Sequence, residues 1–143
     1  MGRTGETLTF DEIAEINRLL IQEFGGIYIE GNRNLHNPGT LEYALEAIQG
    51  SLFGVELHPT LAGKAAALGW AIIAGHVFHD GNKRTVMAVV QQFLIVNGYD
   101  LRVATAELDQ DVIRAALDIA TAMMDADSFA VWIEERMIPL QDE

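Results

Sequence analysis

Apolar residues recur at intervals of three and four along most of this chain, the spacing of helices with one buried face. Thr9-Phe10-Asp11-Glu12 fits a capping box, with Thr9 as N-cap and Glu12 at the third helical position. Ile13, Ile16, Leu20 and Phe24 follow on one face, and Gly25-Gly26 stops the helix. Ile27-Tyr28-Ile29 is a short β-like run, and Gly31 to Gly39 is polar and turn-rich, so residues 25–39 are a flap candidate. Thr40 can cap a short helix carrying Leu41, Leu45 and Ile48. Gly50 to His58 reads as a connection, with Leu52-Phe53 anchored to the core. Pro59 suits the first turn of the next helix, where Leu61, Ala65, Leu68, Ile72 and His76 trace one face. Many Ala and Gly residues in that helix permit close approach by its neighbours.

In the second half, Val86, Val89, Val90, Phe93 and Leu94 repeat at three and four, while Met87, Ala88, Ile95 and Val96 fill the other faces. A helix apolar nearly all round is a buried one, and Asn97-Gly98 ends it. Leu101-Arg102-Val103 is extended or irregular. From about Glu107 a further helix carries Val112, Leu117, Ile119, Ala120 and Met123, with Asp109 and Asp111 suited to its first turn. Met123-Met124 read as core filler. Asp127 or Ser128 caps a last helix bearing Phe129, Trp132, Ile133 and Met137, and both Trp70 and Trp132 are expected in the core. About six helices with short connections and no repeats predict an all-α single domain over residues 1–143.

The composition narrows the function. Half of the 143 residues are hydrophobic, enough for a sizeable core. Nine Lys and Arg against 21 Asp and Glu give a formal net charge of −12, which disfavours a nucleic-acid surface. There is no cysteine, hence no disulfide framework, a composition compatible with the cytoplasm. Met1 to Glu6 is polar and lacks a signal-peptide core. The apolar run from Ala65 to Gly75 falls short of the roughly twenty residues of a spanning helix, so no membrane association is expected. Gly63-Lys64-Ala65 imitates the end of a P-loop but has His58 where a glycine is needed and no hydroxyl at Ala65; Lys64 reads as a surface residue.

Between the two most apolar helices lies His76-Val77-Phe78-His79-Asp80-Gly81-Asn82-Lys83-Arg84-Thr85. Taken singly these residues are ordinary: a histidine can end a helix, Asp-Gly marks a turn, and a Lys-Arg pair is usually a solvated face. Together they make a site. Gly81-Asn82 reads as a turn with Asn82 as N-cap, which puts Lys83 and Arg84 in the first helical turn. Cations are disfavoured there, because the helix dipole already makes that end positive. The arrangement makes sense if an anion binds among the free N–H groups and the two side chains. Asp80 would repel a bare phosphate but suits Mg²⁺ carried on one. His76 supplies an imidazole that can serve as a base.

This stretch resembles the signature of Fic/Doc proteins, H-x-F-x-D-x-N-K-R in the death-on-curing branch. The AMP-transferring branch has a glycine where Lys83 stands and a second arginine where Met87 stands, so the resemblance points to the Doc type. It implies a compact helical fold with a small flap, and transfer of a phosphoryl group from ATP or another nucleoside triphosphate to a hydroxyl of a protein. The roles it implies are His76 as general base, Asp80 as the Mg²⁺ ligand, Gly81, Asn82, Lys83 and Arg84 as the phosphate site, and Phe78 as a structural anchor. An elongation factor as target and an antitoxin covering the groove are implied in the same way. AMP transfer by the same fold, or a binding module that has lost its chemistry, are the competing expectations.

Overall fold

A computed structural model describes residues 7–52, 55–102 and 105–140. Among these, six α-helices are joined by short connections: α1 (Phe10–Phe24), α2 (Pro38–Gln49), α3 (Leu61–Ala74), α4 (Asn82–Val96), α5 (Thr105–Ala120) and α6 (Ala126–Glu134). Two small antiparallel pairs complete the fold. β1 (Ser51–Leu52) pairs with β2 (Val55–Glu56), and β3 (Tyr99–Leu101) pairs with β4 (Met137–Pro139) with Asp100 opposite Ile138. The second pair ties the C-terminal end of α4 to the segment after α6.

Helices α3 and α4 form the centre. The first packs on α2, α4, α5 and α6, the second on α1, α3 and α5. Leu68 and Ile72 of α3, and Val86, Val89, Phe93 and Leu94 of α4, are wholly buried. Gly69 lets them come together: a Cβ there would lie 2.8 Å from Val90 Cγ2 and 3.1 Å from the Phe129 ring. Gly69→Val should therefore cost about 1–3 kcal/mol from overpacking, read as a lowered Tm on thermal unfolding.

The helix starts depart from the sequence reading where a nearer residue wins the cap. The Thr9 capping box is present, with Glu12 N–H donating to Thr9 Oγ1 and Thr9 N–H to Glu12 Oε1. Asn37, not Thr40, precedes α2, which takes Pro38 in its first turn because proline has no N–H to leave unpaired. Thr60, not Pro59, opens α3, its hydroxyl accepting from Gly63 N–H. Asp125, ahead of Asp127 and Ser128, caps α6 by accepting from Ser128 N–H. Helix α5 begins at Thr105 rather than near Glu107.

Three side-chain expectations are corrected. Lys64 is buried, not superficial: its ammonium pairs with Glu56 Oε1 at 2.8 Å and bonds the His58 carbonyl. It fastens the β1–β2 hairpin to α3. Met123 is 78 % exposed, whereas Met124 packs against the core. Phe24 is half exposed at the end of α1. Met1 to Glu6, Phe53 and Val103 lie outside the described residues.

Candidate functional site

The junction from α3 to α4 is built around a histidine in an unusual place. Helix α3 ends at Ala74, so His76 does not continue the face of Ile72 as the sequence suggested. Val77 N–H donates to Ile72 O and His76 N–H to Ile73 O, both at 3.1 Å, the pair of bonds that closes a helix with a left-handed residue. That residue is ordinarily glycine; here it is His76, at φ +48°. The conformation costs about 1 kcal/mol for a side chain with a Cβ, and it turns an exposed imidazole out of the chain between two buried neighbours, Ile73 and Val77. Asn37 steadies the corner, donating from Nδ2 to Gly75 O at 2.7 Å and to His76 O at 3.3 Å. His36 and Asn37 N–H both donate to Val77 O, and Leu35 and Phe78 form an isolated antiparallel bridge.

Phe78 then inserts into the core, 1 % exposed. Asn82 closes the loop behind it, accepting from Phe78 N–H at 3.0 Å and donating to Phe78 O at 2.8 Å. Asn82 is thus the first helical residue, and the N-cap is Gly81 in the left-handed region at φ +80°. The Asn82 side-chain amide is committed to Phe78, so what it presents at the helix start is its backbone N–H. Thr85 N–H makes the first intrahelical bond, to Gly81 O. The N–H groups of Asn82, Lys83 and Arg84 lie ahead of it and have no acceptor within the helix. The first turn carries no acidic residue, only Lys83 and Arg84, both exposed. The Arg84 guanidinium rests 4.3 Å from the centroid of the Phe24 ring, which keeps it at the mouth of the site.

These groups line one cleft of about 380 Å³. His76, His79, Asp80, Gly81, Asn82, Lys83 and Arg84 form one side; Leu20, Ile21 and Gly25 form the α1 side, with Ile73 and Ala120 completing it. Asp80 is the single carboxylate among them. Its Oδ1 accepts from Gly81 N–H at 2.9 Å and its Oδ2 from Ile27 N–H at 2.8 Å. Each oxygen keeps a lone pair free, so a Mg²⁺ bound through one carboxylate and through substrate phosphate oxygens fits this donor set.

The segment expected as a flap runs beside the cleft but is not a hairpin. Residues 25–29 make no strand, and a 3₁₀ turn, Glu30–Asn32, follows. The N–H groups that would have made a ladder are taken by side chains instead, Ile27 by Asp80 and Ile29 by Asn34 Oδ1.

Two residues under the cleft escaped sequence reasoning. Asn17 and Asn34 are wholly buried and hydrogen-bond each other, Asn34 Nδ2 donating to Asn17 Oδ1 at 3.1 Å. Asn17 occupies the same helical row as Ile13 and Ile21. An amide in the middle of an apolar row was the one available signal.

Comparison with known proteins gives the family. Residues 7–94 match the Fic/DOC family, a span that takes in α1, α2, α3, the whole His76–Arg84 junction and most of α4. The chain is also 36 % identical over 107 residues to the Toxin Doc of Mycolicibacterium smegmatis, covering 74 % of this chain and 80 % of that protein. The chain belongs to the Fic/DOC family. Fic/DOC proteins are generally protein-modifying transferases that use a nucleoside triphosphate with Mg²⁺. The family match ends within α4, so of the cleft-lining residues only Ala120 lies beyond it. Among the described residues, no helix is long and apolar enough to cross a membrane.

Proposed function

We propose that this protein is a Doc-like toxin kinase, which moves the terminal phosphoryl group of ATP or another nucleoside triphosphate onto a hydroxyl side chain of a target protein. The observation that carries the reading is the convergence of an exposed histidine, one carboxylate and two cations on a single cleft at a helix start. His76 acts as general base and takes the proton of the attacking hydroxyl. The new bond forms between that oxygen and the γ-phosphorus, the bond to the bridging oxygen breaks, and the diphosphate leaves with its charge spread over the site. Lys83, Arg84 and the N–H groups of Asn82, Lys83 and Arg84 hold and neutralise the phosphates. Gly81 lets backbone approach phosphate without a Cβ in the way. Asp80 would hold Mg²⁺, which when bound shields the phosphate oxygens from the incoming nucleophile.

Transfer of the terminal phosphate, rather than AMP, is favoured by two features. Lys83 is exposed at the cleft where the AMP-transferring signature has glycine. Met87, at the position of that signature's second arginine, is buried and supplies no cation. The similarity to a Toxin Doc supports a toxin role and an antitoxin partner. An elongation factor in the cytoplasm as target, and an antitoxin seated over the groove, complete the proposal. Incubating the protein and a bacterial extract with ATP labelled at either the α or the γ phosphate tests the reaction. Label from the γ position should appear on a protein band; label from the α position would instead establish nucleotidyl transfer.

A further inference from the structure

Each of the three oxygens of Asp80 accepts at least one hydrogen bond. Its carboxylate takes Gly81 and Ile27 N–H, and its carbonyl takes two side-chain amides, Asn17 Nδ2 at 3.0 Å and Asn34 Nδ2 at 3.4 Å. Those two amides are fully used. Asn17 also donates to Thr85 Oγ1 at 3.0 Å and accepts from Asn34 Nδ2; Asn34 Oδ1 accepts from Ile29 N–H at 3.0 Å. Asn17, Asn34 and Thr85 are each wholly buried. Three buried polar side chains in a core this apolar carry a desolvation cost that each must recover through its bonds. A hydrophobic residue would fill the Asn17 position on α1 more cheaply, as Ile13 and Ile21 do one turn either side.

The bonds span separate parts of the chain. Asn17 lies on α1, Asn34 in the segment beside the cleft, and Asp80 and Thr85 on either side of the α4 start. Asn34 also uses its backbone here: its N–H donates to Ile29 O and its carbonyl accepts from His79 N–H at 2.8 Å, with φ +63°. Gly81 completes the fit, because a Cβ on it would stand 3.0 Å from Asn17 Nδ2 and 3.2 Å from Ile21.

We infer that Asn17 and Asn34 are positioning residues, a buried two-amide clamp that fixes the Asp80–Thr85 turn and couples it to the 27–35 segment. Neither lines the cleft. They act through the Asp80 carbonyl, which sets the plane of the Asp80–Gly81 peptide and so where the carboxylate and the α4 N–H groups point. Their role in activity rests on the phosphotransferase reading above; their hold on the turn does not.

Two variants and two measurements test this. Asn17→Ala deletes the clamp from the helix; Asn34→Gly deletes its other half while leaving the left-handed backbone unstrained. In the ligand-free protein, amide hydrogen exchange at His79 and Thr85 should quicken by about tenfold or more, as expected for losing bonds of ordinary strength. Exchange at Ile133 in α6 should stay unchanged. In the same variants the Mg²⁺ concentration needed for half-maximal ATP binding should rise by about tenfold, a quantity that a general loss of stability does not move. Unchanged exchange at His79 and Thr85, or equal quickening across α6, would overturn the clamp. An unchanged Mg²⁺ requirement beside locally quickened exchange would overturn the positioning role. Should the unsubstituted protein bind no ATP with Mg²⁺, the phosphotransferase reading falls, and the exchange comparison still decides whether the clamp holds the turn.

Discussion

His76→Asn should lower phosphoryl transfer by about 10²- to 10⁴-fold, the usual contribution of a positioned general base, while the KM for nucleotide and the Tm stay close to those of the unsubstituted protein. Asparagine is the informative replacement because His76 sits at φ +48°. Asn tolerates that conformation better than other residues with a Cβ, so the backbone corner survives and only the imidazole is lost. His76→Ala should be as inactive and also less stable, by up to about 1 kcal/mol. Steady-state kinetics with thermal unfolding on both variants separates the two effects. Residual transfer above a tenth of the original rate would remove His76 from the chemistry.

Lys83→Gln should move stability and binding in opposite directions. Lys83 is exposed in the first turn of α4, a turn with no acidic residue, where its charge opposes the helix dipole. Neutralising it relieves about 0.3–1 kcal/mol at low ionic strength, enough to raise the Tm by about 1–4 °C in a chain of this size. The same change removes a charge-assisted bond to phosphate, about 1.5–3 kcal/mol, so affinity for ATP with Mg²⁺ should fall by about 10- to 100-fold. Arg84→Gln should lose comparable affinity without the gain in Tm, since it also forfeits the stacking of its guanidinium on Phe24. Both shifts should shrink with added salt. Calorimetric titration and unfolding at two ionic strengths read all four quantities.

The parts of this protein that could be read from its residues are those whose causes are local. The α4 pattern of Val86, Val89, Val90, Phe93 and Leu94 is apolar on every turn, and that helix is indeed buried at the centre. The His76–Arg84 stretch is contiguous, so its mixture of charges was visible before any fold was known. What differs from that reading depends on partners outside the residue's own element. Lys64 looks like any solvated lysine until Glu56 and the His58 carbonyl are folded against it. Ile27-Tyr28-Ile29 reads as a β-like run, yet the N–H groups of Ile27 and Ile29 are captured by Asp80 and Asn34 side chains. Asn17 is bonded to residues 63 and 68 positions away, a relation no local pattern encodes. Cap positions differ for another reason: Asp125, Asp127 and Ser128 are all competent caps, and it is Asp125 whose side chain accepts from Ser128 N–H.

Two cations at the start of α4 oppose the helix's own field unless phosphate sits among its free N–H groups, and the unsubstituted protein can be tested for this directly. Titration with ATP and Mg²⁺, followed by the backbone amide resonances of Asn82, Lys83 and Arg84, should shift all three together as the phosphates settle among them. Saturable ATP binding that leaves those three amides unmoved, or no binding at millimolar ATP, would contradict it.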